Sequence, residues 1–95
     1  MGYAPAQFAV GSIYERGDGV PQNKAEAVKW YRKAAEQGSM RAVCKLGLMY
    51  YEGDGIPQDK QEATKWLNEA AIYGDVYAQN LLEDMYIEEY GFPFE

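Results

Sequence analysis

Residues 42–74 read AVCKLGLMYYEGDGIPQDKQEATKWLNEAAIYG, and residues 6–38 carry the same pattern 36 positions earlier. The two segments align without a gap and share sixteen identities, which include the Gly-Asp-Gly loop, the proline after it and both tryptophans. A third, partial copy continues the series with Ala78, Leu82 and Tyr86. A fixed period of this length is typical of solenoids built from stacked supersecondary units, so we expect about two and a half units.

Each unit is predicted to form two helices joined by a glycine-rich loop. In the second unit, Ala42, Leu46 and Tyr50 recur at steps of four residues, which places them on one face of the first helix. The Gly-Asp-Gly sequence permits positive φ at the end of that helix, and the proline after it cannot lie inside a continuing helix. Asp59 follows as the predicted N-cap of the second helix. Applied to every copy, this pattern predicts five helices.

Two glycines fall inside predicted helices. Gly11 and Gly47 occupy equivalent positions in the first two copies, and glycine in a helix costs about 1 kcal/mol against alanine. We expect close approach of the neighbouring helix to offset this cost, with the contact made by its tryptophan, Trp30 or Trp66.

The tyrosines are predicted to divide into packing residues and contact residues. One repeated core position is predicted to pack in all three copies: Tyr14, Tyr50 and Tyr86. Tyr31 and Tyr51 are not repeated in kind and are predicted to be exposed contact residues. Tyr73 and Tyr77 are also unrepeated, and we expect them to fill the junctions between repeats.

The composition narrows the classes of function. Ninety-five residues with 47% hydrophobic and 25% charged side chains are enough for one folded domain. The net charge of −6 disfavours binding to nucleic acid or to an acidic membrane surface. Histidine is absent, which excludes a histidine-based metal site and a Ser-His or Cys-His catalytic pair. We therefore expect no catalytic residue, no metal and no cofactor.

Cysteine usage and the start of the chain bear on its location. The single cysteine, Cys44, cannot form an internal disulfide, and the first ten residues lack the basic start and long apolar stretch of a signal peptide. We predict a cytoplasmic protein. A fragment of an exported protein would have the same features, so that alternative stays open.

The repeated residues resemble a known family. The pattern Ala-x-x-x-Leu-Gly-x-x-Tyr-x-x-Gly-x-Gly-Val/Ile-Pro, followed by Lys-x-x-Ala-x-x-Trp and Ala-Ala-x-x-Gly, is similar to the Sel-one-like repeat, a relative of the tetratricopeptide repeat. The resemblance covers residues 6 to about 90. It implies an all-α fold, an α/α right-handed superhelix (solenoid) that serves as an adaptor in degradation complexes, signalling scaffolds, or bacterial host-interaction and toxin-immunity complexes. Glu83 and Glu89 depart from the glycine pattern, which implies that the third copy is a terminal cap.

The repeats give predicted boundaries within one domain. We place repeat 1 at about residues 5–38, repeat 2 at about 39–74, a partial repeat 3 at about 75–90 and a tail at 91–95. The tail is apolar and contains Pro93, which cannot continue a helix. We expect it to fold back over the last helix, in place of the missing second helix.

Residues that differ between the copies are the candidates for binding. One stripe on the first helices lies opposite the predicted core, and we call it the first-helix face: Phe8, Ser12, Glu15, Cys44, Leu48, Tyr51, Glu52, Asp84, Ile87 and Glu88. In solenoids of this type the first helices line the concave side, so the face is predicted to bind a partner protein or peptide. Its mixture of aromatic, aliphatic and acidic groups suits a peptide or helix of some basic character. The alternative is that Phe8, Leu48 and Ile87 only pack between adjacent first helices.

Charge is divided along the chain. Residues 1–47 have a net charge of +3, and residues 48–95 have a net charge of −9. A solenoid maps sequence position onto space, so we expect one positive end and one strongly negative end. Such ends suit head-to-tail self-association or a basic partner. An acidic end that only keeps the chain soluble is the alternative.

The main prediction is a non-enzymatic protein–protein interaction scaffold. Two alternatives within the binding class are an immunity-type protein whose acidic end grips a basic toxin or receptor surface, and a structural segment of a longer repeat array. An enzyme is the competing class. It would require paired carboxylates, such as Glu52 and Asp84, held in a closed pocket.

Overall fold

A computed structural model of the protein describes residues 3–91, and this part of the chain forms five α-helices and no strands. The helices are α1 (Ala4–Arg16), α2 (Lys24–Glu36), α3 (Met40–Glu52), α4 (Lys60–Ile72) and α5 (Val76–Tyr90). The predicted all-α class and the predicted helices are confirmed. The predicted fold-back of the tail concerns residues 92–95, which lie outside the described residues. None of these helices is long and apolar enough to cross a bilayer.

Side-chain caps start four of the helices. Asn23 and Asp59 cap α2 and α4, each by accepting a hydrogen bond of 3.0 Å from the backbone N–H three residues on. Ser39 and Asp75 cap α3 and α5 in the same way, at 3.3 and 2.9 Å. A cap of this kind satisfies one of the N–H groups that a helix leaves unpaired at its start. The alternation of cap types therefore follows the repeat.

The Gly-Asp-Gly loops end α1 and α3. Gly17 and Gly53 take left-handed conformations, with φ of 76° and 70°, and return their N–H groups to the carbonyl oxygens of Ile13 and Met49. A side chain is strained at such φ values, so glycine is needed here. The chain then turns back, and α2 and α4 each run along the helix that precedes them.

Consecutive helices pack on one another in chain order, α1 on α2, α2 on α3, α3 on α4 and α4 on α5. The resulting row is elongated, with extents of 50 × 25 × 17 Å. Six alanines in the row are fully buried: Ala27, Ala34, Ala42, Ala63, Ala70 and Ala78. Their small side chains let the helix backbones approach closely, and Tyr31, Leu46 and Leu67 fill the remaining space.

The helix glycines contact a different residue from the one expected. A Cβ atom added at Gly11 would lie 2.8 Å from the Tyr31 ring, and one added at Gly47 would lie 2.6 Å from Leu67 Cγ. The predicted tryptophan contact is wrong, because the neighbouring helix presents the residue after its tryptophan. Trp66 is only half-buried. The neighbouring helix nevertheless approaches closely at both glycines, as predicted.

Four tyrosines lie in other surroundings than predicted. Tyr31 is fully buried rather than exposed, because it fills the space beside Gly11. Tyr73 and Tyr77 are 72% and 55% exposed, since the junctions close through alanines instead. Tyr86 is 53% exposed, because no second helix covers α5 in the described part of the chain.

The Gly-Asp-Gly loop after α3 contacts the start of α2, so it links the second repeat to the first. Lys24 Nζ, at the start of α2, lies 2.9 Å from Asp54 Oδ1 in the loop after α3. This hydrogen bond and the Asp54 charge raise the pKa of Lys24 above its ordinary value. A Cβ atom at Gly55 would lie 2.7 Å from Lys24 Cβ, so the loop packs directly on the helix start.

Candidate functional site

An open cleft of about 490 Å³ lies where α1, α2 and α3 meet, and we call it the α1–α3 cleft. Its walls combine aromatic and charged side chains from all three helices and the first loop: Phe8, Ser12, Glu15, Arg16, Gln22, Lys24, Tyr31, Arg41 and Lys45. Three of these belong to the first-helix face. The other six lie outside the first-helix face, and of these only Tyr31 was predicted to be a contact residue.

Tyr31 links the buried core to this cleft. Its ring packs on Gly11 and Phe8, with the Phe8 and Tyr31 ring centroids 5.1 Å apart. Its hydroxyl donates a 2.6 Å hydrogen bond to Glu15 Oε1 and lies 3.2 Å from Ser12 Oγ. Burial, together with the bond to Glu15, raises the pKa of Tyr31 to about 12. The hydroxyl is therefore a fixed neutral donor that orients the Glu15 carboxylate.

Two basic residues of α3 complete the wall opposite α1. Lys45 Nζ lies 3.1 Å from Glu15 Oε2, so this carboxylate is held from both sides. The Arg41 guanidinium stacks over the Phe8 ring, 4.6 Å from its centroid. Among residues 3–91, Arg41 has no carboxylate partner. An arginine held on an aromatic ring with its donors free is suited to bind a carboxylate.

The remaining part of the first-helix face lies between α3 and α5. The Tyr51 hydroxyl donates a 2.7 Å hydrogen bond to Glu88 Oε1, and this bond is the main cause of a raised pKa for Tyr51. Lys60 Nζ lies 3.7 Å from the same Glu88 oxygen and 5.8 Å from the centroid of the Tyr51 ring. A side-chain network thus joins α3, α4 and α5 on this face.

The ten predicted residues do not form one cavity. Phe8, Ser12 and Glu15 come together in the α1–α3 cleft, and Tyr51 contacts Glu88. Three others are half-buried: Cys44, Leu48 and Ile87. Burial raises the pKa of the Cys44 thiol, which leaves it protonated and unreactive at neutral pH.

Glu52 and Asp84, the carboxylates considered for catalysis, are both exposed and lie outside the α1–α3 cleft. Within residues 3–91, no group of three or more His, Cys, Asp or Glu side chains is placed to hold a metal ion.

Arg41 and Lys45 were not predicted as site residues, and Tyr31 was predicted as an exposed contact residue rather than a buried one. Tyr31 was assigned to the surface because its equivalent, Leu67, is a different residue type. Arg41 and Lys45 stand four positions apart on α3, a spacing that puts both on one side of the helix. That spacing was a usable signal, but the partner helix that turns the pair into a cleft wall became visible only in the fold.

A second, wider cleft of about 650 Å³ lies between the start of α4 and the end of α5, and we call it the α4–α5 groove. Its lining combines polar, apolar and acidic side chains: Lys60, Gln61, Thr64, Leu82, Met85, Tyr86, Glu88, Glu89 and Tyr90. It lies at the acidic end of the chain.

Comparison with known proteins gives consistent matches. The family model described as Sel1 repeat matches residues 4–39 and 41–75. The fold is similar to that of a protective antigen of uropathogenic Escherichia coli strains that displays an SLR fold, with 45% identity, a TM-score of 0.89, and coverage of 93% of this chain and 19% of that chain. A Sel1 repeat protein from Oxalobacter formigenes gives 39% identity, a TM-score of 0.86, and coverage of 93% and 36%.

A sequence relative covers less of the chain. The chitin synthase regulator SKT5 of Saccharomyces cerevisiae is 47% identical over 45 residues, which are 47% of this chain and 6% of that protein. The chain therefore spans well under half the length of each of these relatives.

Proposed function

The chain belongs to the Sel1 repeat family, and on that premise we propose that it is a non-enzymatic scaffold that binds a partner segment along the first-helix face. Sel1 repeat proteins are generally protein–protein interaction scaffolds. The copies of this chain keep the residues that pack and vary the residues of this face. We also propose, from the sequence prediction, that the protein is cytoplasmic.

The observation that carries the proposal is the arrangement of the α1–α3 cleft. Arg41 lies over the Phe8 ring, and Glu15 is fixed by Tyr31 on one side and by Lys45 on the other. Side chains that are already held lose little conformational entropy when a partner binds. A partner residue with a carboxylate and an apolar stem fits the Arg41–Phe8 pair.

The charges suggest how the partner segment is oriented. Four basic side chains line the α1–α3 cleft, and three of them pair with a carboxylate: Arg16 with Asp18, Lys24 with Asp54 and Lys45 with Glu15. Arg41 has no such partner among residues 3–91, so its positive charge is the one left for a partner. Acidic side chains predominate at the α5 end of the face: Glu52, Asp84 and Glu88, against Lys60. We propose a partner segment with an acidic residue at the α1–α3 cleft and basic residues at the α5 end, in keeping with electrostatic complementarity.

One alternative has support of its own. The chain spans only 19% and 36% of the two solved relatives, which supports the view that it acts as a segment of a longer repeat array. In that case the same face would continue into the neighbouring repeats. Head-to-tail self-association has weaker support, namely the opposite charges of the two ends.

Selection of displayed peptides tests the proposal. A library of random peptides is selected on the immobilised chain, and binding is then compared with an Arg41→Glu, Leu48→Asp variant. The matched control is Ala25→Asp, Lys29→Glu, which makes similar changes on the exposed side of α2. Circular dichroism checks that both variants keep the helical content of the intact chain.

We expect the selected peptides to bind the intact chain and the control, and to lose binding to the face variant. Equal loss in both variants would show a non-specific charge effect and contradict the proposal. Retention by the face variant would place binding elsewhere on the molecule.

A further inference from the structure

The α4–α5 groove is the position that a second helix occupies in the earlier repeats. Asp59 N–H, at the start of α4, donates a 2.9 Å hydrogen bond to the Tyr50 carbonyl near the end of α3, and α4 then runs back along α3. In the described part of the chain, nothing lies on α5 in the corresponding place. Within residues 3–91 the groove is therefore a helix face without a covering helix, and its packing geometry is known from the earlier repeats.

α5 keeps the residue types of a covered face. Five pairs of equivalent residues are identical in α3 and α5, and three of these pairs are large side chains: Leu46 and Leu82, Met49 and Met85, Tyr50 and Tyr86. In α3, Leu46 and Met49 are 0% and 2% exposed. In α5 the corresponding leucine and methionine are only half-buried, and the tyrosine is exposed. Apolar side chains retained at an open end of this kind mark an interaction surface.

Glu83 determines what kind of helix fits there. It stands where α3 has Gly47, and a Cβ atom at Gly47 would already lie 2.6 Å from Leu67 Cγ. A helix with leucine or tyrosine at that contact, like α4 or α2, cannot approach α5 as closely as α4 approaches α3. An apolar residue opposite Glu83 would also remove water from its carboxylate without replacing the lost hydrogen bonds.

The charge of this end favours a basic occupant. No lysine or arginine follows Lys65 in the sequence, and α5 carries four carboxylates: Glu83, Asp84, Glu88 and Glu89. A second copy pairing α5 with α5 would bring these carboxylates together, which repels. A helix with a cation opposite Glu83 instead gains a charge-assisted hydrogen bond.

We propose that the α4–α5 groove docks an amphipathic helix of a partner protein, antiparallel to α5. Its first turns are apolar and cover Leu82, Met85 and Tyr86. An arginine or lysine of the helix lies opposite Glu83. This surface shares only Glu88 with the first-helix face, so one chain can hold two partner segments side by side.

The test compares two stapled peptides with the sequence of residues 59–74, one unchanged and one with Leu67→Arg. Each is titrated into the intact ¹⁵N-labelled chain, and binding is followed by NMR chemical shifts. We expect the Leu67→Arg peptide to bind about tenfold more tightly, since a charge pair replaces an apolar contact with a carboxylate. The shifted signals should come from α5 and the start of α4.

Variants at Glu83 distinguish the effect of its charge from the effect of its size. Glu83→Gly restores the residue found in the other repeats and should reverse the preference, so that the unchanged peptide binds better. Glu83→Gln keeps the size without the charge and should abolish the preference for the Leu67→Arg peptide. Glu69→Gln, an exposed change on α4 outside the groove, should leave both affinities unaltered.

Four results would overturn the proposal. One is equal binding of both peptides to the intact chain, and another is a preference that survives Glu83→Gln. The third is concentration-dependent dimerisation in sedimentation experiments that is lost in Tyr86→Asp, which would make a second copy the occupant. The fourth is absence of binding by either peptide, which is the result expected if the tail at residues 92–95 folds back over α5, as the sequence predicts, and fills the groove itself.

Discussion

The α1–α3 cleft and the equivalent surface between α3 and α5 share one backbone arrangement but differ in chemistry. Six cleft residues have six equivalents one repeat later: Phe8, Ser12, Glu15, Tyr31, Arg41 and Lys45 correspond to Cys44, Leu48, Tyr51, Leu67, Tyr77 and Leu81. The first set is largely polar and charged, whereas the second is largely apolar. The helix packing is therefore shared by the repeats, and the surface chemistry belongs to each repeat separately.

Tyr31 and Leu67 show how one position in the repeat can serve both core packing and surface chemistry. Both side chains are fully buried and both press against a helix glycine. Only Tyr31 carries a hydroxyl, which reaches Glu15 and Ser12 at the surface. Its ring does the packing that Leu67 does in the second repeat, and its hydroxyl organises the cleft.

The largest expected effect concerns packing. Leu67→Ala should lower the free energy of unfolding by about 3 kcal/mol, because it leaves a cavity between α3 and α4. Leu48→Ala, a change of the same chemistry at a half-buried position of the first-helix face, should cost much less. Urea denaturation of both variants measures the difference. Equal losses would mean that the first-helix face is as much a part of the core as Leu67.

The next effect tests the close contact at the helix glycine. Gly47→Ala should destabilise the chain by about 2 kcal/mol, since the strain of overpacking exceeds the gain of about 1 kcal/mol in helix propensity. Glu83→Ala, at the equivalent but uncovered position, should not be destabilising. Thermal unfolding of the two variants checks this. A more stable Gly47→Ala variant would contradict the contact with Leu67.

Removing the Tyr31 hydroxyl should leave the packing and disturb the cleft. Tyr31→Phe should cost about 1 kcal/mol at neutral pH, the usual value of a hydrogen bond. It should also change the dependence of stability on pH. The folded state raises the pKa of Tyr31 from 10.0 to about 12, so it holds this proton more tightly than the unfolded chain does.

The sign of that dependence follows directly. The contribution of Tyr31 is fully present below pH 10 and is lost as the pH rises towards 12. The difference in stability between the intact chain and Tyr31→Phe should therefore shrink across that range in urea denaturation series. A difference that stays constant from pH 9 upwards would show that the hydroxyl is not held in the folded state.

The smallest expected effect concerns the Lys45–Glu15 ion pair. Lys45→Gln should lower stability by about 0.5 kcal/mol at low ionic strength, and by less in high salt, since the pair is partly exposed. Denaturation at two salt concentrations measures it. A loss of several kcal/mol, independent of salt, would show that the pair is structural rather than part of an adaptable binding surface.

Repetition made most of the fold predictable from sequence. The capping residues, the Gly-Asp-Gly loops and the spacing of Ala42, Leu46 and Tyr50 gave the helices, because these features depend on local backbone geometry. Packing partners were harder. The repeated tryptophans were predicted to contact the helix glycines. The residue that does so is the next one, where Tyr31 and Leu67 differ in type but both fill the space beside a glycine.

The site was less predictable than the fold. Stepping along one helix placed Phe8, Ser12 and Glu15 on the same side, and the structure brings them into one cleft. Arg41 and Lys45 belong to the next repeat and line the same cleft. Periodicity within one helix cannot predict this contact, because it relates only residues of that helix. Which residues form the binding face therefore depends on how adjacent repeats pack, and the pattern within one helix does not show it.

Chemical-shift mapping with a peptide selected on the intact chain tests the central claim most directly. The account predicts that the perturbed amide signals follow the first-helix face from the α1–α3 cleft to α5, with Arg41 and Leu48 among the largest shifts. Shifts confined to the outer surfaces of α2 and α4 would contradict it, because the partner would then bind the second helices and the first-helix face would serve only in packing.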